Sequence, residues 1–174
     1  HDEPLEEVIV EEVEFPENDE TIGELSISWI GPVCNDTLTN LAVDMVGAYF
    51  SDSPISIFNK NLIEIEHPLA TEVYYDTDDF YRTALNFNFG GVPTENLQEL
   101  DTKIKQLLKE QTTPNKIELE YMKQIIEQQK LKFIANVENS ASLFSEMATL
   151  EFIYGATDGS DLSKWTKDLK EFEI

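Results

Sequence analysis

Histidine is almost missing from these 174 residues, and that shortage excludes more chemistry than any motif adds. A zinc helix of H-E-x-x-H or H-x-x-E-H type needs two imidazoles on one helical face. This chain has only His1 and His67. The one local set of candidate ligands is Glu64, Glu66 and His67, and with Pro68 directly behind it the set reads as a solvated turn. Cysteine is rarer still. Cys34 alone excludes an internal disulfide and fits a reducing compartment. As a nucleophile Cys34 would need His67 beside it and a third group to orient the base, yet it stands at a strand exit next to Gly31-Pro32. Glycine is scarce as well. Gly90-Gly91 lacks the G-x-G-x-x-G spacing and runs into Pro93, so it cannot cradle a phosphate at a helix N-terminus. No run approaches the ~18 apolar residues of a membrane span. The first twenty residues hold no apolar core of a secretory signal. Without such a signal, Asn35-Asp36-Thr37 reads as a helix cap rather than a glycosylation site.

Positive charge is the last shortage. Twelve Lys and Arg face 35 Asp and Glu, a formal net charge of −23. Nucleic acid and anionic lipid would be repelled, so neither nucleic acid nor membrane is an expected partner. Such a surface serves solubility, or it attracts basic peptides. Carboxylates this abundant say nothing by mere adjacency about acid–base catalysis. What is present is enough to build a core: 41% hydrophobic and 10% aromatic residues, above the range of disordered chains. The length suits one domain with an arm. Residues 1–20 hold ten acidic residues and no basic one, and read as an acidic linker or arm with room for a partial edge strand over Glu7 to Val13. Residues 21–174 read as the domain.

Within that domain, period two marks strands and period 3.6 marks helices. Glu24 to Ile30 alternates with Leu25, Ile27 and Trp29 on one face, and Gly31-Pro32 is expected to end the strand. Asn35 or Asp36 caps a helix whose stripe is Leu38, Leu41, Ala42, Met45, Val46 and Tyr49. Ser53-Pro54 opens a short helix burying Ile55, Phe58 and Leu62. A strand begins at Glu72 to Tyr75, Asp76-Thr77-Asp78-Asp79 reads as a hairpin turn, and a longer strand runs from Phe80 to Phe89 until Gly90-Gly91-Val92-Pro93. In that strand Leu85, Phe87 and Phe89 share one face, Asn86 and Asn88 the other. Four helices follow. The first is capped by Thr94 with Leu97, Leu100, Ile104, Leu107 and Leu108 inward. The next two span about 117–137, with Met122, Ile125, Ile126 and Phe133 inward, and about 141–154, with Gly155 after it. The last begins at Ser160 or Asp161 and carries Leu162, Trp165 and Leu169. The order β-α-α-β-β-α-α-α-α predicts an α+β fold, a mostly antiparallel sheet with helices packed on one face.

Several segments resemble an accessory domain of the pitrilysin/insulysin superfamily of zinc metalloproteases. They are Val13-Glu14-Phe15-Pro16-Glu17-Asn18-Asp19-Glu20, then Gly23-Glu24-Leu25 and Trp29-Ile30-Gly31-Pro32, the helix over Leu38 to Phe50, Ser53-Pro54-Ile55 with Phe58, Glu64-Ile65, Pro68-Leu69-Ala70 with Val73, and Tyr154-Gly155 with Asp158-Gly159-Ser160-Asp161-Leu162. The likeness covers about residues 13–165 and is nearest the single-chain, presequence-protease-like branch. It implies a LuxS/mitochondrial-processing-peptidase-like metallohydrolase fold, one of four homologous domains of which only the first binds zinc, through an H-x-x-E-H helix absent here. The acidic lead-in and the Gly-Glu…Trp…Gly-Pro strand point to the second domain, the third staying open. The family's domains close with further strands after the last helix, so the resemblance implies a domain truncated at its C-terminal end. It further implies a non-catalytic domain that helps enclose peptides hydrolysed by a neighbouring domain of the same polypeptide. No cofactor is expected in this chain, zinc is expected in the parent's catalytic domain, and the compartment is cytoplasmic or else mitochondrial. In the family the sheets face an enclosed chamber, which makes Glu24, Ser26, Ser28, Asn86 and Asn88 candidate chamber-facing residues and puts Leu25, Ile27, Trp29, Leu85, Phe87 and Phe89 under the helices. Two alternatives stand beside this reading: a structural or assembly subunit derived from the protease fold, and a free-standing acidic peptide-binding module.

Overall fold

In the computed structural model, which describes residues 7–15, 19–78, 80–113, 116–139, 141–154 and 160–173, the alternating segment after Gly23 forms strand β1 (Ile22–Val33). Helix α1 (Thr37–Ser51) follows, then a π-helical turn (Asn59–Ile63), the hairpin β2 (Glu72–Asp78) and β3 (Arg82–Pro93), a 3₁₀ turn (Thr94–Asn96) and α2 (Leu97–Gln111). Helices α3 (Leu119–Asn139), α4 (Ala141–Tyr154) and α5 (Ser160–Glu171) complete the order. The sheet is fully antiparallel in the order β1-β3-β2, so the last strand in sequence is the central one. The expected α+β class and element order both hold.

Phe87 and Phe89 of β3 are buried under the helices, and the rings of Phe50 and Phe58 pack on them. The Phe58 and Phe87 centroids lie 5.1 Å apart, nearly perpendicular, the edge-to-face geometry that the ring quadrupole favours. Leu41, Met45, Ala48 and Tyr49 of α1, Leu62, Val73, Val92, Leu100 and Ile104 close the same core, which Met122, Ile125, Ile126 and Leu169 extend. Each fully buried large side chain contributes roughly 1.5–3 kcal/mol, so this one cluster dominates the stability of the sheet–helix interface.

The structure corrects several expected contacts. The buried face of α1 is rotated: Leu41, Met45, Ala48 and Tyr49 are inward, while Leu38 and Val46 are exposed. The reason is a pair of buried residues that the stripe did not include, Ala48 and Phe50. Tyr49 and Phe50 both enter the core, and Asp36 caps the helix by accepting from the Thr39 amide. Ile55 is exposed because Pro54 lies in a turn and the helical segment begins only at Ile57. Neither Gly-Pro nor Gly-Gly stops its strand. β1 runs through Gly31-Pro32 by way of a register irregularity between Ile30 and Val33. β3 runs through Gly90-Gly91, where Gly91 takes φ +59°, to pair Pro93 with Ile22. Asp76 and Asp78, expected in the turn, are strand residues of β2. Residues 7–15 are exposed and form no strand. Trp29 packs edge-on against Phe87, at 5.9 Å, yet remains 41% exposed because it lies on an edge strand. Gly155 and the Asp158-Gly159 pair lie outside the described residues, as do the side chains of Leu162 and Trp165.

Candidate functional face of the sheet

Strand pleating sends the even-numbered side chains of β1, of β2 and of β3 as far as Gly90 away from the helices, and the parity changes only beyond Gly91, where Val92 is buried. The register sets Ser26 opposite Asn88 and Ser28 opposite Asn86, so four of the five expected face residues become direct neighbours. Glu24 is exposed at the register shift between Gly23 and Leu25. Across β3 the same face continues onto β2, because Tyr74 opposes Asn88, Asp76 opposes Asn86 and Glu72 opposes Gly90. Sequence reasoning missed the β2 contribution. The period-two pattern Glu72, Tyr74, Asp76, Asp78 was its available signal, masked by the strong turn propensity of consecutive aspartates.

Hydrogen bonds join this face into two ladders. Ser26 Oγ donates to Asn88 Oδ1 at 2.5 Å, and Asn88 Nδ2 donates to Asp76 Oδ1 at 3.1 Å, linking all three strands. Asn86 Nδ2 donates to Asp78 Oδ2 at 3.0 Å. The carboxylates thus hold both amide groups by their nitrogen ends and set which polar atoms the face offers. The result is a rigid polar surface with carboxylates along one side. It offers acceptors and negative charge, the chemistry of peptide N–H groups and Lys or Arg side chains. The charge is regional. Residues 1–100 carry 22 Asp and Glu against two Lys and Arg, whereas residues 101–174 carry 13 against ten.

Among the described residues no site fits a zinc ion, which the resemblance places in another domain of the parent. His67 is exposed in the bend after the π-helical turn. Among the described residues no group of three or more His, Cys, Asp or Glu side chains could hold a metal ion. Cys34 is partly buried where β1 gives way to α1, and its amide donates to the Tyr81 carbonyl at 2.9 Å. No helix among the described residues is long and apolar enough to cross a membrane.

No protein-family model matches the chain. An uncharacterized protein of Saccharomyces cerevisiae is 41% identical over 162 residues, which is 92% of this chain and 15% of that protein. An uncharacterized protein of Schizosaccharomyces pombe is 30% identical over 165 residues, 94% of this chain and 16% of its own length. The chain therefore spans a small part of the curated relatives it matches. Among solved structures, the inactive peptidase domain of a candidate zinc protease from Bordetella parapertussis superposes with TM-score 0.71 at 11% identity, covering 92% of this chain and 82% of that one. A protease from Helicobacter pylori superposes with TM-score 0.61 at 18% identity, covering 90% and 37%. This chain has the α+β fold seen in these proteases, one of them matched through the inactive peptidase domain of a candidate zinc protease.

Proposed function

We propose that this chain is a non-catalytic domain of a larger zinc endopeptidase and that its open sheet face helps enclose and bind peptides cut by another domain. The observation that carries the reading is the hydrogen-bonded polar face of Ser26, Asn88, Asp76, Asn86 and Asp78, on a fold shared with an inactive peptidase domain. In this reading the chain is the second of four homologous domains, in the presequence-protease-like branch, and the parent acts in the cytoplasm. The zinc is held in the first domain, so this one needs no metal ligands. Its contribution is positional: a peptide held against a rigid polar wall loses part of its freedom before it reaches the scissile centre. The carboxylates bias that wall toward cationic peptides.

The test uses the full-length parent protein and the double variant Asp76→Asn/Asp78→Asn. Two exposed charge contacts at about 0.5 kcal/mol each predict a KM for a cationic quenched-fluorescence peptide raised roughly fivefold. The turnover number should stay within about twofold, and KM for a neutral peptide should not move, because uniform binding was removed. Fluorescence anisotropy with the same peptide reads the effect even if the parent cuts nothing. Equal binding of the cationic peptide by both proteins would sink the proposal.

A further inference from the structure

The open face of the sheet is ordered in rows that cross the strands. Along β1 the register aligns Ser26 with Asn88 and Tyr74, then Ser28 with Asn86 and Asp76, then Ile30 with Ala84 and Asp78. Each asparagine donates diagonally, to the aspartate one row further on, so the face holds the same Ser–Asn–Asp set twice. The two sets stand two residues apart, on equivalent pairs of the antiparallel ladder. They differ in one bond. In the first set Ser26 Oγ donates to Asn88 Oδ1 and Asn88 Nδ2 donates to Asp76, which closes it. In the second, Asn86 Nδ2 donates to Asp78, but Ser28 Oγ and Asn86 Oδ1 have no hydrogen-bond partner among the described residues. Ser28 is exposed and Asn86 partly buried. This open pair borders an apolar step of the face. Ile30 is 48% exposed there, and the methyl group of Ala84 is the smallest side chain in its row, between Ile30 and Asp78.

We propose that Ser28 and Asn86 form a subsite for the main chain of an extended peptide, and that Ile30 and Ala84 seat an apolar side chain beside it. In an extended chain the N–H and C=O of one residue point the same way. Asn86 Oδ1 accepts from that N–H and Ser28 Oγ donates to that C=O, so the pair supplies the acceptor and the donor that one peptide residue needs. Asp78 already holds the Asn86 amide by its nitrogen, which presents the oxygen before the peptide arrives and lowers the ordering cost of binding. Ser26 and Asn88 are the structural counterpart, because the same groups there satisfy one another. A grip on the main chain does not depend on the peptide's charge, so it adds a sequence-tolerant anchor to the carboxylates' attraction for cations. The inference rests on the reading of the open face as the peptide-binding one.

Fluorescence anisotropy on the full-length parent tests it with two dye-labelled peptides, the cationic one and an end-blocked, uncharged one of Ala, Ser and Leu. Ser28→Ala should raise the Kd of both alike, by roughly fivefold for one lost hydrogen bond, and leave Tm unchanged. Ser26→Ala should do the reverse, lowering Tm while Kd stays within about twofold. A series of the uncharged peptide, N-methylated at one amide at a time, reads the main-chain contact itself. Methylation at one position should weaken binding to the parent but not to its Asn86→Ala variant, and moving the leucine away from that position should also weaken it. Equal effects of Ser26→Ala and Ser28→Ala on binding overturn the proposal, as do a Ser28→Ala effect on the cationic peptide alone and a series in which every methylated position costs the same. If Asp76→Asn/Asp78→Asn weakens the cationic peptide while Ser28→Ala and Asn86→Ala change nothing, the subsite is overturned and the peptide-binding reading of the face stands. If none of these substitutions changes binding, that reading fails and the subsite with it.

Discussion

Tyr75 illustrates how one residue reports on the packing of a layer. Its side chain points from β2 toward α1, and Gly47 is the helix residue it meets. A Cβ at position 47 would come within 2.7 Å of Tyr75 Cγ, so only a hydrogen lets strand and helix approach this closely. Burial there pushes the Tyr75 hydroxyl above the usual tyrosine range, and the Asp44 and Asp52 carboxylates add to the shift. The sign follows from linkage. A raised folded-state value means that the native protein keeps its proton where the unfolded chain has lost it, so stability is full below pH ~10 and falls as pH climbs above it. Thermal melts should therefore fall in Tm between pH 10 and 12, and Tyr75→Phe should flatten that fall while matching the parent chain at pH 7–8. Some slope should remain in the variant, because burial also raises Tyr49, whose hydroxyl meets Gln111 Oε1 at 3.2 Å. Parallel pH curves for the two proteins would contradict the assignment.

At the scale of elements, the junction between β1 and α1 hangs on a residue that periodicity passes over. Asn40 Nδ2 donates to the Val33 carbonyl at 2.9 Å and to the Asp36 carbonyl at 3.0 Å, and its Oδ1 accepts from Thr83 Oγ1 at 2.9 Å. One partly buried amide thus ties the end of β1, the first turn of α1 and β3 together. Removing it strands several partners at once, so Asn40→Ala should destabilise by roughly 2–3 kcal/mol. Asp36→Ala, which loses the exposed cap to the Thr39 amide and hydroxyl, should cost about 1 kcal/mol. Urea unfolding of the two variants checks the ranking, and equal midpoints would refute it. The comparison also shows where sequence reasoning reaches its limit. Alternation in Leu25–Trp29 and Leu85–Phe89 was enough to place both strands and to name Ser26, Ser28, Asn86 and Asn88 as one face, because period two depends only on the residues themselves. The ends of elements were not legible. Gly90-Gly91 and Gly31-Pro32 are turn-formers in isolation, but pairing of Ile22 with Pro93 and of Val33 with Arg82 outweighs that preference. For the same reason the Asp76 and Asp78 half of the candidate face stayed hidden until cross-strand register was known. The polar hub at Asn40 has no periodic signature at all, since its partners are set by tertiary contact.

Over the whole molecule the governing asymmetry is electrostatic. Where both signs meet, ion pairs form: Lys103 with Glu99, Lys105 with Asp101 and Lys123 with Glu120 along the helices, and Lys132 with Asp52 between α3 and the end of α1. Each is exposed and worth about 0.3–0.5 kcal/mol. Residues 1–100 have almost no cations to pair with, because their 22 carboxylates face only Lys60 and Arg82. Self-repulsion in the sheet-bearing half therefore opposes folding more than the helical ion pairs support it. Salt weakens both terms, so the sign of its effect tells which is larger. Raising NaCl from about 0.01 M to about 1 M cuts the Debye length from roughly 30 Å to roughly 3 Å. If 1–2 kcal/mol of repulsion is relieved, Tm should rise by roughly 2–8 °C. The triple variant Glu72→Gln/Asp76→Asn/Asp78→Asn should start higher and rise less, because part of the repulsion is already gone. A Tm that falls with salt would mean that the helical pairs outweigh the acidic half. The open sheet face would then lack the field that the proposed attraction of cationic peptides requires.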